Sequence, residues 1–178
     1  MNAIGTSLKD AYIITNQIFE DERGSFRESF NLRDIQKIIG PYEFVQDSHS
    51  ISTKNVVRGL HYQIEHAQGK LVRCIAGEIY DVIVDLRKNS ETFGKWVGFY
   101  LRPGPEQLWV PPGFAHGFCA MSDQAEVLYK VTDYRYAEYE RSLLWNDKTL
   151  NIYWSVSSPI LSDKDAQGVS FENCDKYE

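Results

Sequence analysis

From Lys70 onward the chain carries a series of short β-branched and aromatic runs, and this series restricts the fold more than any other feature. The runs are KLVRCIA, EIYDVIVDLR, WVGFYL, QLWV and AEVLYKV, and turn residues such as Gly77 and Gly104 separate them. Such runs at short intervals are typical of strands in an antiparallel sandwich or barrel. Because few helical patterns interrupt them, the sequence predicts a mostly β fold, best described as a jelly roll.

The run EIYDVIVDLR has a two-residue period. One face carries Tyr80, Val82, Val84 and Leu86, and the other carries Asp81, Asp85 and Arg87. This alternation predicts a half-buried strand.

One short helix is predicted at about Asn31 to Ile39, where Asn31 can cap the start and Gly40 can close the end. Its apolar face would consist of Leu32, Ile35, Ile38 and Ile39. No internal repeat or linker divides the chain, so we expect one domain across residues 1–178. From about residue 151 the pattern becomes irregular, which predicts a tail that crosses the surface or returns to the barrel mouth.

The formal net charge of −6 and the pI near 5.3 argue against a general nucleic-acid or anionic-membrane surface. The three cysteines are odd in number and form no C-x-x-C, so neither a disulfide framework nor a zinc knuckle is predicted. A reducing cytoplasm fits this pattern. The amino terminus, MNAIGTSLKD, lacks the basic and apolar regions of a signal peptide, and we expect a cytoplasmic protein.

Two histidines stand in suggestive contexts, although a histidine on its own is more often structural. In RGLHYQ, Arg58 and His61 would diverge along a regular strand, and a bulge at Gly59 would bring them toward one cavity. The turn in PPGFAHGF delivers His116 at a strand start, where a barrel mouth would lie. No phosphate loop or G-x-G-x-x-G occurs, so phosphates would meet side chains such as Arg23, Arg58, Lys70 and Lys164.

Seven blocks occur in order along the chain: DERG at 21–24, FVQDSHS at 44–50, RGLHYQ at 58–63, QGKLVR at 68–73, DLR at 85–87, TFGKW at 92–96 and GFAHGF at 113–118. With these blocks the sequence resembles the dTDP-4-dehydrorhamnose 3,5-epimerases nearly end to end. The resemblance implies a cupin-type jelly roll, usually a homodimer, that acts in deoxysugar synthesis for bacterial surface polysaccharides or glycosylated metabolites. It implies no metal or other cofactor.

The resemblance also assigns roles by position. It places the general base at His61, its carboxylate partner at Asp165 and the proton-donating tyrosine at Tyr134. The chemistry of the reaction then assigns Lys70 to the ketone oxygen. It places substrate contacts at Arg23, Phe26, Glu28, Gln46, Ser48, Arg58, Lys70, His116, Glu140 and Lys164. Members of the family often carry asparagine at Ser48, tyrosine at Arg135 and proline at Ala137, so these departures could alter which carbon is reprotonated or which sugar fits.

The implied chemistry suits these side chains. A hydrogen next to a ketone is acidic because its loss gives an enolate, so the reaction needs a base at that hydrogen and a cation or donor at the ketone oxygen. The imidazole of His61 can be the base, and Asp165 would set its tautomer. Inversion further requires a proton from the opposite face, which a tyrosine can donate.

Three alternatives stay open. The first is an epimerase that inverts C3 or C5 alone, on a CDP-linked or other nucleotide-linked deoxy sugar. The second is a metal-dependent cupin, which usually offers H-x-H, whereas His61-Tyr62-Gln63 supplies one ligand. The third is a cupin that binds a nucleotide sugar without catalysis, and a base, an orienting carboxylate and an acid argue against it.

Overall fold

The computed structural model describes residues 1–178 and consists mainly of strands. The strands are β1 (Asn2–Gly5), β2 (Tyr12–Thr15), β3 (Phe19–Asp21), β4 (Gly24–Phe26), β5 (Gln46–Thr53), β6 (Val57–Gln63), β7 (Lys70–Ala76), β8 (Ile79–Asp85), β9 (Trp96–Leu101), β10 (Glu106–Val110), β11 (Phe114–Ala120), β12 (Gln124–Val131) and β13 (Glu140–Ser142). The helices are α1 (Leu32–Ile39) and α2 (Asp163–Ala166), with a 3-10 turn at Ala137–Tyr139.

The strands form two main sheets and one separate hairpin. A six-stranded sheet has the order β1-β2-β10-β7-β12-β5, and a five-stranded sheet has the order β13-β6-β11-β8-β9. All the strand pairings in both sheets are antiparallel. Strands β3 and β4 pair only with each other. The predicted mostly β, antiparallel jelly-roll class is therefore confirmed.

The main core lies between the two sheets. Val72, Leu108 and Val127 reach it from the six-stranded sheet, and Ile83 and Phe118 reach it from the five-stranded sheet. Their inward positions follow from the two-residue period of each strand, which turns alternate side chains toward the facing sheet.

The prediction that β8 is half-buried is wrong, because every residue of this strand is buried. Its Val82 and Val84 face belongs to a second apolar cluster outside the sandwich. Residues after 142 cover that face, with Leu150, Trp154 and Cys174 buried in the same cluster. The opposite face of β8 points into the core, so Asp81 and Asp85 are both inaccessible to solvent.

The tail beyond residue 151 reaches back to β6 at several points. The Val57 amide donates to the Ile160 carbonyl at 3.0 Å, and the Tyr62 hydroxyl donates to the Asp175 carbonyl at 2.7 Å. Between these contacts the chain forms α2, next to the open end of the sandwich. The tail thus both crosses the outer face of the five-stranded sheet and returns to the barrel mouth.

Helix α1 confirms the predicted helix to within one residue. Its Ile35 is buried with Ile14, Leu71 and Trp109 on the outer face of the six-stranded sheet. Gly40 ends the helix with a φ of 94°. The Asn31 side chain makes no capping bond and instead donates to a Glu28 carboxylate oxygen at 2.9 Å, so the predicted side-chain cap is wrong.

Strand β6 contains the predicted bulge at Gly59. His61 pairs with His116 and Arg58 pairs with Phe118, so three steps along β6 match two steps along β11. The extra residue turns Arg58 and His61 toward the same cavity. Gly59 has a φ of 112°, and a Cβ there would lie 2.7 Å from both Gly117 Cα and the His116 carbonyl oxygen.

Replacement of Gly59 by alanine is expected to destabilise the fold. We predict that Gly59→Ala lowers the free energy of unfolding by roughly 2–5 kcal/mol in chemical denaturation, because the methyl group adds a clash to an unfavourable φ. The control is Gly5→Ala, where a Cβ meets no atom within 4 Å. That control should stay within about 0.5 kcal/mol of the parent protein. Equal unfolding midpoints for the two variants would contradict the close approach of β6 and β11.

Candidate active site

A cavity of about 440 Å³ opens between the two sheets and the tail, and we call it the main cavity. Its lining consists of Ser50, Val56, Val57, Arg58, His61, Lys70, His116, Gly117, Phe118, Tyr129, Ile160, Leu161, Ser162 and Asp165. A side pocket of about 90 Å³ shares His61, Lys70 and Tyr129 with it. These three residues therefore stand where the two spaces meet.

His61 is bound by a carboxylate from the tail. Its Nε2 donates to Asp165 Oδ1 at 2.5 Å, so Nδ1 is the ring nitrogen left to accept a proton. Burial would raise the pKa of the Asp165 carboxyl, but bonds from His61, Ser162 and the Gly59 amide outweigh burial and hold that pKa below its usual range. The carboxylate thus stays ionised and sets the tautomer of the imidazole.

Helix α2 delivers Asp165 to this position. Ser162 caps the helix, since its hydroxyl accepts from the Asp165 amide at 3.2 Å and donates to Asp165 Oδ2 at 2.9 Å. Both carboxylate oxygens are therefore held, one by His61 and one by Ser162. The sequence SDKDA favours such a single-turn helix because a serine stands directly before acidic first-turn residues.

Lys70 is a buried cation on the facing sheet. Burial lowers the pKa of its ammonium group to about 8, while the charges of Asp81 and Glu140 act in the opposite direction. Its Nζ donates to the His61 carbonyl at 3.3 Å. Behind it, His116 Nε2 lies 2.8 Å from Asp81 Oδ1, and this pair is buried. Lys70 therefore brings a positive charge into a space with little solvent.

The arrangement places an oriented imidazole on one sheet and a desolvated ammonium group on the other. The model of the dTDP-4-dehydrorhamnose 3,5-epimerase family matches residues 5–173. The chain belongs to this family.

Known relatives cover nearly the whole chain. The dTDP-4-dehydrorhamnose 3,5-epimerase of Shigella flexneri is 53% identical over 99% of both chains. A crystal structure of the Elizabethkingia anophelis enzyme has a TM-score of 0.94 and 45% identity, and the match covers 97% of each chain. A Legionella pneumophila dTDP-6-deoxy-D-glucose-3,5-epimerase, solved in complex with dTDP-4-keto-L-rhamnose, has a TM-score of 0.94 and 45% identity over 98% of this chain and 94% of that chain.

In this epimerase-family chain, the structure does not bring Tyr134 into the site. Its side chain is 55% exposed and lines neither the main cavity nor the side pocket. Tyr129 lines both spaces instead. The reason is the period of β12, which turns Ala125, Val127 and Tyr129 toward the interior, whereas Tyr134 lies in the loop after the strand ends at Val131. Alternation in AEVLYKV is the sequence signal that places Tyr129 on the inward face of this strand.

The predicted substrate contacts divide into two groups. Those at the cavities are Arg58 and His116 in the main cavity, Gln46, Ser48 and Glu140 in the side pocket and Lys70 in both, with Lys164 bound to Glu140 at 2.7 Å. Arg23 and Phe26 instead lie on the β3–β4 hairpin and Glu28 just after it, and none of the three lines either space. Ser50 and Gln63 line the cavities without having been predicted.

The residues do not form a metal-ligand set. No three His, Cys, Asp or Glu side chains converge on a position suited to a metal ion. One ring nitrogen of His61 and one of His116 is hydrogen-bonded to an aspartate.

Neither helix is long and apolar enough to cross a membrane.

The burial of Lys70 can be measured directly. We predict that the Lys70 ammonium group titrates at about 8 in ¹³C-detected NMR of the folded protein. In Asp81→Asn its pKa should fall further, because the variant loses a negative charge that favours the ammonium form. Titration of Lys70 near the ordinary lysine value of about 10.4, or a rise in Asp81→Asn, would contradict this electrostatic account.

Proposed function

We propose that this protein inverts C3 and C5 of a dTDP-linked 4-keto-6-deoxy sugar, as a step of dTDP-L-rhamnose-type deoxysugar synthesis. Residues 1–178 act as one catalytic domain that needs no cofactor. The observation that carries it is the meeting of His61, Lys70 and Tyr129 in one space, with Asp165 bound to the imidazole. The molecule in complex with the Legionella relative, dTDP-4-keto-L-rhamnose, is of this class.

The first step is removal of the proton next to the C4 ketone. His61 Nδ1 accepts this proton, and the Asp165 carboxylate stabilises the imidazolium that forms. A neutral imidazole can act as a general base near pH 7. C3 and C5 both flank the ketone, so the same base can serve both carbons when each hydrogen is presented to it in turn.

Lys70 supports the enolate that results. Electron density moves from the broken C–H bond to the C4 oxygen, and a nearby ammonium group stabilises the charge that develops there. Because the Lys70 side chain is buried, solvent screens this interaction little. Since its pKa is lowered to about 8, the protonated form that this role requires is lost as the pH rises above that value.

Tyr129 is the group best placed to return a proton to the opposite face. His61 projects from β6 of the five-stranded sheet, whereas Tyr129 and Lys70 project from β12 and β7 of the six-stranded sheet. A planar enolate between the two sheets would therefore have the base on one face and the tyrosine hydroxyl on the other. The tyrosinate then regains a proton from solvent, and the imidazolium releases one.

The nucleotide side of the substrate needs cations and flat apolar surfaces. Arg58 stands in the main cavity, and its Nε donates to Ser52 Oγ at 2.9 Å, which holds the guanidinium group in place for a diphosphate. Phe26 is 71% exposed on the separate β3–β4 hairpin, which also carries Arg23. We propose a homodimer in which this hairpin contributes to the substrate site of the second copy.

Three free cysteine thiols support a cytoplasmic setting.

The test is deuterium uptake by a dTDP-linked 4-keto-6-deoxy sugar in deuterated water. The parent protein is expected to introduce deuterium at C3 and C5 and to invert both centres, and His61→Ala should abolish uptake at both. Tyr129→Phe should retain part of the exchange but lose inversion by about 100-fold, because the base remains while the acid is missing. Tyr134→Phe is the matched control and should behave like the parent protein.

Each outcome has a distinct meaning. No uptake by the parent protein would overturn the proposed reaction, and uptake at one carbon alone would replace it by a single-centre epimerase. If Tyr134→Phe loses inversion while Tyr129→Phe keeps it, the acid assignment fails and the reaction class stands.

A further inference from the structure

Arg135 stands at the wall of the side pocket and binds Glu140. The Arg135 Nη2 donates to Glu140 Oε2 at 2.9 Å, and the pocket also includes His61. The wall of the side pocket therefore carries a cation at this position. Its partner Glu140 begins β13, the edge strand that pairs with β6.

Glu140 holds a second cation at the same time. Lys164 Nζ lies 2.7 Å from Glu140 Oε2, and Lys164 directly precedes Asp165 in α2. Burial would raise the pKa of Glu140, but the bonds and charges of Arg135 and Lys164 lower that pKa to about 2. This carboxylate is thus ionised at neutral pH and joins the loop of residues 132–136 to α2.

The loop that carries Arg135 is fixed by glutamine side chains. Gln63 Nε2 donates to the Tyr134 carbonyl at 3.1 Å, and the Tyr136 amide donates to Gln63 Oε1 at 2.6 Å. Gln68 Nε2 donates to the Asp133 carbonyl at 2.8 Å. Gln63 is itself buried in β6, two residues after His61. The backbone on both sides of Arg135 is therefore tied to the sandwich.

Helix α2 has much less support of its own. It is a single turn, in which the Ala166 amide donates to the Ser162 carbonyl and the Gln167 amide donates to the Asp163 carbonyl. A helix this short gains little stability from its internal bonds, so contacts to other elements decide its position. The bridge through Glu140 is one such contact, and it ends beside Asp165.

We propose that Arg135 is a positioning residue: acting through Glu140 and Lys164, it ties α2 to the wall of the side pocket and keeps Asp165 on His61. This inference rests on the proposed function only where it concerns turnover. It distinguishes Arg135 from a substrate contact, whose loss would mainly raise KM, and from a residue that only stabilises the fold, whose loss would leave α2 and kcat unchanged.

The experiment compares Arg135→Met, Arg135→Lys and Arg102→Met in the full chain. Arg102 pairs with Glu78 on the surface and lines neither cavity, so it controls for the loss of an arginine ion pair. Amide hydrogen exchange of Ala166 and Gln167 reports on α2, and kcat and KM for the 4-keto sugar report on the site. Thermal unfolding checks that each variant is folded.

For Arg135→Met we expect exchange at Ala166 and Gln167 to accelerate about fivefold and kcat to fall by a similar factor, since one partly exposed ion pair is lost. KM should change by less than about twofold, because no substrate contact is removed. Arg135→Lys should recover part of both effects, and Arg102→Met should match the parent protein.

Two results would overturn the inference. One is unchanged exchange at Ala166 and Gln167 in Arg135→Met, and the other is a loss expressed in KM alone. Should the parent protein show no epimerisation at all, the proposed function fails, but the exchange measurement still decides whether Arg135 holds α2.

Discussion

The hydrogen bond between His61 and Asp165 joins two parts of the chain that are 104 residues apart in sequence. It forms only when the tail has crossed the outer face of the five-stranded sheet and α2 has returned to the sandwich. The apolar cluster with Leu150 and Trp154 holds the first part of that path, and the Val57 to Ile160 backbone bond holds the second. Packing on the outside of the barrel thus determines the orientation of the imidazole inside it.

The side chains that meet in the site come from the two facing sheets. The five-stranded sheet carries His61, and the six-stranded sheet carries Lys70 and Tyr129. Burial of Lys70 carries a free-energy cost, because desolvation disfavours its charged form. The nearby carboxylates of Asp81 and Glu140 offset part of that cost. A flat intermediate between these walls would meet a base on one side and a cation and a hydroxyl on the other.

Local patterns in the sequence predict strands β7 to β12, helix α1 and the bulge at Gly59, since alternation and glycine act over a few residues. Strand β5, with the sequence QDSHSIST, has no apolar alternation, and the β3–β4 hairpin is exposed throughout, so neither was predicted. The double burial of β8 was missed because it depends on a tail about 70 residues later. Motif position points to Tyr134 in the loop, and only the inward period of β12 indicates Tyr129.

A carboxylate from the tail binds the imidazole of His61, the proposed base, and Asp165→Asn tests the effect of this bond most directly. The measurement is the rate of deuterium uptake at C3 and C5 of the 4-keto sugar, with Asp163→Asn, two positions earlier on the same helix turn, as a control. We predict that Asp165→Asn slows uptake by at least about 100-fold while Asp163→Asn keeps the parent rate, because an amide neither sets the imidazole tautomer nor stabilises the imidazolium. An Asp165→Asn rate within about twofold of the parent protein would contradict the account.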